Sequence, residues 1–323
     1  MCIRDRLSSE LQLAPSGHYE GRNVLHFPNL PDQASRVAVK RELQRLRPVR
    51  DKRQWPLIDQ KILVSWNALM ITSLAKAGLA FDRRDWIASA EKCAHFILDK
   101  MRSGRRLYHC VFGESRSREC FLEDYAFFGE ALLDLFEATS NPRYFDAAQE
   151  LSEGMLEQFF DEREGGFWSS SNEQRDLLMR SKEIYDGAIP SAYHVAVSVL
   201  FRLTLWTGDS RWSKLAEKSV CAILGNAMES PGGFQRLSLV VDEWMNQSKI
   251  LIAMNPTAEE RQEMYSVLRP RLSPFDLRQA TDHVAALVGK YEESGRRFWL
   301  CELGQCSSPA DSLKQALAVR GLV

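Results

Sequence analysis

The sequence has few cysteines, no excess of charge of either sign and no long uninterrupted hydrophobic run. Seven cysteines in 323 residues are too few for a disulfide scaffold, so reduced, intracellular thiols are expected. The 42 basic and 43 acidic residues give a formal net charge of −1. A nearly neutral protein has no overall field to hold a polyanion, which argues against nucleic acid as the main partner.

Signals for secretion or membrane insertion are also missing. Residues 1–20 contain no apolar core of signal-peptide length. The most apolar stretch, residues 62–81, is interrupted by polar residues such as Asn67 and Lys76, which is typical of a buried helix rather than a membrane span. We therefore predict a cytoplasmic protein with no membrane partner. The opening MCIRDR (residues 1–6) fits no predicted element, and we expect a non-native start on a chain cut at its N-terminus.

A repeated helical hairpin is the clearest feature that is present. Apolar helices are predicted over residues 66–81, 122–138 and 192–206, each followed by a tight turn, a second helix and a glycine-rich exit. An aromatic residue opens each second helix, namely Trp86, Tyr144 and Trp212. Asp and Asn residues in the turns are expected to cap these second helices.

The length of this repeat predicts the fold class. Helical solenoids repeat at roughly 34 to 47 residues, whereas these hairpins recur at about sixty. This favours an all-α fold, an (α/α) toroid of helical hairpins that is incomplete in this chain. We predict a partial N-terminal segment of the toroid over residues 7–58, with a helix near residues 33–47. Three hairpins follow over residues 59–246, and a small α/β subdomain over residues 247–323, with strands at 248–253 and 297–301 and helices at 256–268 and 309–319.

Polar residues cluster where the first helix of each hairpin begins. In a toroid the first helices form the inner layer and their starts surround one mouth, so these side chains are expected to converge. The candidate catalytic carboxyl groups are Asp59, Glu123, Asp124 and Asp186. The candidate substrate-binding residues are Lys61, Trp66, Asn67, Tyr125, Lys182, Ser191 and His194.

This mixture of carboxylates, amides and aromatic rings suits a carbohydrate-like small molecule. A carboxyl pair can protonate a leaving oxygen and activate water, and an inverting pair is separated by about 6.5 to 9.5 Å. Structural roles compete with this interpretation, because acidic residues at helix starts can satisfy free N–H groups and aromatic rings can fill a core. Lys182 and Asp186, four residues apart, can also form a solvated pair.

The histidines and cysteines give weaker indications of function. His194 is the best candidate for a base, whereas core or surface roles are expected for His95 and His109. The C-x4-C pair of Cys301 and Cys306 does not match redox or zinc spacings, so a structural role is expected. We predict neither a metal site nor a cofactor.

At these motifs the sequence resembles the YyaL-like, thioredoxin-domain-containing proteins, the family of spermatogenesis-associated protein twenty. The resemblance spans nearly the whole chain in the family's order. The matching segments are residues 17–28 (GHYEGRNVLHFP), 59–70 (DQKILVSWNALM), 121–139 (FLEDYAFFGEALLDLFEAT), 164–168 (EGGFW), 182–191 (KEIYDGAIPS) and 301–309 (CELGQCSSP).

The resemblance implies a thioredoxin-like domain followed by a six-hairpin glycosidase-like toroid, in which this chain supplies only the C-terminal part. The family's D-D-K, W-N-G and P-S-G-N motifs read here as Asp59-Gln60-Lys61, Trp66-Asn67-Ala68 and Pro190-Ser191-Ala192-Tyr193, which weakens the expectation of catalysis. Two functions therefore remain open. One is acid/base chemistry on a carbohydrate-like ligand, by hydrolysis or epimerisation. The other is a non-catalytic scaffold that docks a partner or the thioredoxin-like domain.

Overall fold

The computed structural model describes residues 8–9, 11–26, 32–117, 119–174, 176–245, 249–254, 257, 259–260, 272–277, 297–302 and 305–318. The chain divides into two compact units, residues 1–59 and residues 60–323. The first unit contains helix α1 (Gln33–Asp51), which confirms the helix predicted near 33–47 and extends it by one turn. Leu11 and Val39 are the buried apolar residues in the described part of this unit.

The three predicted hairpins are confirmed in the second unit. They are α2 (Val64–Ala80) with α3 (Arg84–Lys100), α4 (Leu122–Thr139) with α5 (Pro142–Phe159), and α6 (Ala192–Thr207) with α7 (Ser210–Glu229). A further helix, α8 (Gln235–Met245), follows the glycine-rich exit of the third hairpin and was not predicted.

Helix capping follows the predicted chemistry in two of the three turns. The side chain of Asn141 accepts a hydrogen bond from Arg143 N at 3.1 Å, and that of Asp209 accepts one from Arg211 N at 2.8 Å. The expectation is wrong for the first hairpin, where Asp82 sits in the turn at a φ of 50° and the capping position falls to Arg83. Asn and Asp tolerate this left-handed conformation, so Asp82 makes the turn instead of capping the helix.

The helices form two layers. Helices α2, α4, α6 and α8 pack side by side in chain order, and α3, α5 and α7 each pack behind the first helix of their own hairpin. Helices α4 and α6 are buried almost all round, as expected for helices enclosed by neighbours. This arrangement is an incomplete (α/α) toroid, which confirms the predicted fold class. Among the described helices, none is long and apolar enough to cross a membrane.

Short strands lie just before the first hairpin and between the first two hairpins, at the end where the inner helices begin. Strand β1 (Ile62–Leu63) pairs with β4 (Cys110–Phe112), which pairs with β5 (Ser115–Arg116). A second ladder joins β2 (Arg102–Ser103) to β3 (Arg106–Leu107). These strands matter for the site because they place His109 beside the start of α2, where Val64 N donates to the His109 carbonyl at 3.0 Å.

The C-terminal region forms a four-stranded sheet in the order β7-β6-β8-β9. Its strands are β6 (Lys249–Met254), β7 (Leu272–Leu277), β8 (Arg297–Glu302) and β9 (Gln305–Cys306), with β6 and β7 parallel and the other pairs antiparallel. Both predicted strands are confirmed, and the closing helix is shorter than predicted, α9 (Leu313–Ala318). Most of the helix predicted over 256–268 lies outside the described residues.

Side chains that alternate between the two faces of β6 and β8 pack this sheet against its neighbours. Ile252 and Trp299 belong to one face and join the main core of the helices. Leu251 and Phe298 belong to the other face and pack with Leu313 of α9. The described side chains of β6 and β8 are therefore buried on both faces, which requires apolar residues at successive positions.

The expectation that all thiols are free is wrong at one pair. Cys301 and Cys306 are joined by a disulfide with their Cα atoms 3.9 Å apart. They lie directly opposite each other on β8 and β9, so the tight hairpin brings them within bonding reach. This agrees with the structural role expected for the pair.

Candidate functional site

The inner helices α2 and α4 are tied together at their starts. Ser65 Oγ in the first turn of α2 donates to Glu123 Oε1 in the first turn of α4, at 3.0 Å. Ser65 is fully buried and Glu123 is half-buried. The two helices therefore begin at the same end of the layer, with the carboxyl group of Glu123 between them.

The starts of α4 and α6 are linked through the loop that joins their hairpins. Leu122 N donates to the Ser169 carbonyl at 3.0 Å, and Glu183 N donates to Ser169 Oγ at 3.0 Å. Ser191 Oγ, at the start of α6, then donates to the Glu183 carbonyl at 2.7 Å. Ser169 thus joins one inner helix to the segment that leads into the next.

Asp186 connects α6 to α8. Its Oδ1 accepts from Ser191 N at 2.8 Å and lies 3.1 Å from His194 Nδ1, while its Oδ2 accepts from Arg236 N at 2.8 Å. Burial alone would raise the pKa of Asp186, but these two backbone N–H groups and His194 outweigh it and lower the pKa. Asp186 is therefore an ionised group that holds two helix starts together.

His194 is fully buried against this carboxylate. Burial is the main cause of its pKa being lowered, although Asp186 opposes that shift. Its Nε2 has no hydrogen-bond partner among the described residues. Because Phe234 covers the ring at 5.4 Å between centroids, His194 supports Asp186 rather than presenting an open nitrogen.

Glu123 has a different environment. Burial raises its pKa, and the neighbouring negative charge of Asp124 raises it further, against the hydrogen bond from Ser65. The Ser65 hydroxyl is its one hydrogen-bond donor within the described chain. A carboxyl group with a raised pKa holds its proton to higher pH, which is the property of a general acid.

Asp124 and His109 form a pair beside Glu123. Asp124 is completely buried and accepts from Phe121 N at 3.0 Å, so it caps the start of α4. Both of its oxygens lie 3.1 Å from His109 Nδ1, and this hydrogen bond is the main cause of the raised pKa of His109. With Nδ1 engaged, Nε2 is the atom of His109 left for a ligand or a proton.

The three side chains are close enough to act on one ligand atom. His109, Glu123 and Asp124 each offer an atom within 4.8 Å of the others. This set of one imidazole and two carboxylates is the group in the described chain with donor atoms suited to a divalent metal. The nearest oxygens of the two carboxyl groups lie within 4.8 Å of each other, which is closer than the about 6.5 Å minimum of an inverting glycosidase pair.

Several predicted binding residues are engaged elsewhere. Asn67 donates to the Leu63 carbonyl at 2.7 Å and lies 3.4 Å from Cys93 Sγ on α3, so it faces the second helix layer. The buried Tyr125 hydroxyl accepts from Leu107 N at 3.0 Å and from the side chain of Gln158 at 2.7 Å.

Lys182 and Tyr193 also have structural partners. Lys182 Nζ donates to Asp161 Oδ2 at 2.6 Å and lies over the Trp168 ring, so it is not paired with Asp186. Tyr193 donates to the Ser219 carbonyl at 2.7 Å, on α7. A side chain at Gly166 would collide with the Tyr193 ring, which shows how closely this ring fills the space between the layers.

The remaining candidates are exposed. Trp66, next to Ser65, has 64% of its surface exposed and can stack on a ligand without displacing a core contact. Lys61 is exposed just before β1. Asp59 is also exposed and is the last residue of the first unit.

A charged network between the inner helices was not predicted. Lys76 on α2 and Arg202 on α6 pair with the buried Asp134 of α4 at 3.3 and 2.9 Å, and Arg202 also pairs with Glu137 at 2.8 Å. Burial opposes ionisation of Asp134, but the two cations offset it and lower its pKa. The signal was present in the sequence, because Glu130, Asp134 and Glu137 fall at spacings of four and three within the mostly apolar stretch 125–138 of the helix.

No family model matches the chain. The chain is similar to spermatogenesis-associated protein 20 of Mus musculus, with 34% identity over 230 residues, and of Homo sapiens, with 33% identity. Both matches cover 65% of this chain but 29% of the relative, so the chain spans under a third of their length. An uncharacterised protein of Caenorhabditis elegans is 28% identical over 232 residues, covering 69% of this chain and 31% of that protein.

Two solved structures show a weaker likeness. Cellobiose 2-epimerase from Spirochaeta thermophila matches 51% of this chain and 43% of its own, with 19% identity and a TM-score of 0.42. A family 76 glycoside hydrolase (mannosidase) from Bacteroides thetaiotaomicron matches 50% of this chain and 44% of its own, with 11% identity and a TM-score of 0.42. Scores at this level carry no inference about the chemistry of this chain.

Proposed function

We propose that the mouth formed by the starts of α2 and α4 binds a carbohydrate-like ligand and performs acid/base chemistry on it. The observation that supports this most is the half-buried Glu123 carboxyl group, whose raised pKa favours its protonated form, next to the Asp124–His109 pair. Trp66 would stack on the ligand. The location is expected to be cytoplasmic.

The proposed roles follow from the two environments. Glu123 would donate a proton to a ligand oxygen, and His109 would accept one at Nε2 while Asp124 holds its ring in place. The close spacing of Glu123 and His109 suits proton transfer to and from one ligand. Hydrolysis and epimerisation both require such transfers.

A thermal-shift screen with monosaccharides and disaccharides tests this proposal. We expect a sugar to raise the melting temperature of the wild-type chain and of Glu114→Gln, an exposed control in the β4–β5 turn. Glu123→Gln should remove most of that increase. No increase with any sugar, or an equal increase in Glu123→Gln, would contradict the proposal.

A second candidate function is a non-catalytic docking module. It is favoured by Asp124 and Asp186, which both satisfy backbone N–H groups at helix starts and so have structural roles. The partner would be the thioredoxin-like domain that the family resemblance implies. Calorimetric titration of that domain, taken from a longer relative, should then show binding that Glu123→Gln does not alter.

A further inference from the structure

The loop between the second and third hairpins closes on itself at the mouth. Ser169 N donates to the Ser181 carbonyl at 2.8 Å, so the two ends of the intervening segment meet. Loops of 6–16 residues whose ends meet in this way are Ω-loops, and many of them are functional. We call the described residues 171–174 and 176–180 the rim loop.

Both limbs of the rim loop, residues 171–174 and residue 180, are anchored by hydrogen bonds. On the first limb, Asn172 N donates to the Gln158 carbonyl at 3.0 Å and Glu173 pairs with Arg106 at 2.6 Å. On the second limb, the Arg180 guanidinium donates to the carbonyls of Ser170 and Gln158 at 3.0 Å. The base of the loop is therefore fixed to the end of α5.

The tip of the rim loop, residues 176–179, is exposed and has few contacts, unlike the limbs. Leu177, Leu178 and Met179 are three consecutive apolar residues, and they expose 45%, 107% and 82% of their surface. Residues 176–179 make no hydrogen bond to another described residue. Segments with so few contacts open at low free-energy cost, and active-site lids come from such segments.

The position of the loop connects it to the proposed site. Ser169, at its base, accepts from Leu122 N, and Leu122 directly precedes Glu123. Ser170 forms a bridge with Phe121, whose ring packs edge-on against His109 at 4.8 Å between centroids. The base of the loop therefore touches the elements that carry both proposed acid/base residues.

We propose that the rim loop is a lid, and that Leu177–Met179 close on the apolar face of the ligand bound at the mouth. This inference rests on the proposed function. Closure would bury the three exposed side chains and exclude water from Glu123 and His109, which strengthens their electrostatic interactions. The ligand class that fits is one with an apolar face as well as hydroxyl groups, such as a pyranose.

The test compares a tip variant with a matched control. In the tip variant, Leu177, Leu178 and Met179 are all changed to Ser. The control, Leu224→Ser with Met228→Ser, removes exposed apolar residues from the outer helix α7. Calorimetric titration with maltose and with cellobiose should show about tenfold weaker binding to the tip variant and unchanged binding to the control.

Hydrogen exchange gives a readout that needs no ligand. We expect rapid exchange at residues 176–179 of the free protein, slow exchange on the limbs, and slower exchange at the tip when a sugar is bound. A tip that is already protected in the free protein overturns the lid. Equal sugar binding by the tip variant and the control overturns the lid alone, whereas absence of binding to the wild-type chain overturns the proposed function together with it.

Discussion

The starts of helices α4 and α6 each carry an acidic group, yet the two groups have opposite environments. Asp186, before α6, has two backbone N–H donors and His194, and its pKa is lowered. Glu123, in the first turn of α4, has a single hydroxyl donor and a carboxylate neighbour, and its pKa is raised. Acidic residues near the starts of two inner helices therefore need not share a role, because the local hydrogen-bond donors decide whether the pKa of the carboxyl group is lowered or raised.

The largest effect should come from removing Asp186. Asp186→Ala leaves Ser191 N and Arg236 N without their acceptor and separates the starts of α6 and α8. We expect a loss of about 3 kcal/mol in the free energy of unfolding, since each bond to a charged group contributes roughly 1.5 kcal/mol or more. Urea denaturation measures this, with Glu183→Gln as an exposed control in the same segment. A loss below about 1 kcal/mol would contradict the structural role given to Asp186.

His194 and His109 should contribute to the stability of the fold with opposite dependence on pH. The pKa of His194 is lowered by burial, so the unfolded chain binds its proton more readily, and its contribution destabilises the fold as the pH falls through about 6.5. The pKa of His109 is raised by Asp124, so its stabilising contribution is present below about 6.5 and is lost as the pH rises through the folded-state pKa.

Single substitutions separate these opposite contributions. As the pH falls from 8 to 5.5, the free energy of unfolding of His194→Gln should rise relative to that of the wild-type chain. Over the same interval, the free energy of unfolding of His109→Gln should fall relative to that of the wild-type chain. The measurement is the free energy of unfolding by urea at several pH values. Slopes of the same sign for both variants would show that the two environments are not distinct.

The repeat made the positions of these residues predictable, but not their partners. Helix starts follow from apolar spacing and capping residues, and this placed Glu123 and Asp186 at one end of the inner layer. The contacts depend on residues distant in the chain, such as Ser65 for Glu123 and Arg236 for Asp186. His109 was missed for the same reason, because backbone pairing, such as the bond from His109 N to the Glu119 carbonyl at 3.1 Å, brings it beside the start of α4.

A smaller effect is expected at Glu123. Ionisation leaves the carboxylate half-buried beside Asp124, and this cost appears as the pH rises from about 4.5 through the folded-state pKa. Glu123→Gln keeps an acceptor for Ser65 and removes the charge, so we expect a gain of about 0.5 kcal/mol at pH 7 after allowance for solvent screening. The gain should disappear at pH 4. A stability loss at pH 7 would place Glu123 with Asp186 as a structural residue.

A small effect on stability should follow Ser65→Ala. This substitution tests directly whether a local hydrogen-bond donor sets the pKa of Glu123. The Ser65 hydroxyl favours the ionised form of Glu123, so its removal should raise the pKa of Glu123 further. At pH 4, where Glu123 is protonated, the free energy of unfolding should change by less than about 1 kcal/mol, since the bond that is lost joins two neutral groups. Carboxyl-carbon NMR titration measures the pKa, and Ser73→Ala, exposed on the same helix, is the control. An unchanged pKa would mean that burial and Asp124 alone set the proton affinity of Glu123, and that the contact between α2 and α4 does not tune it.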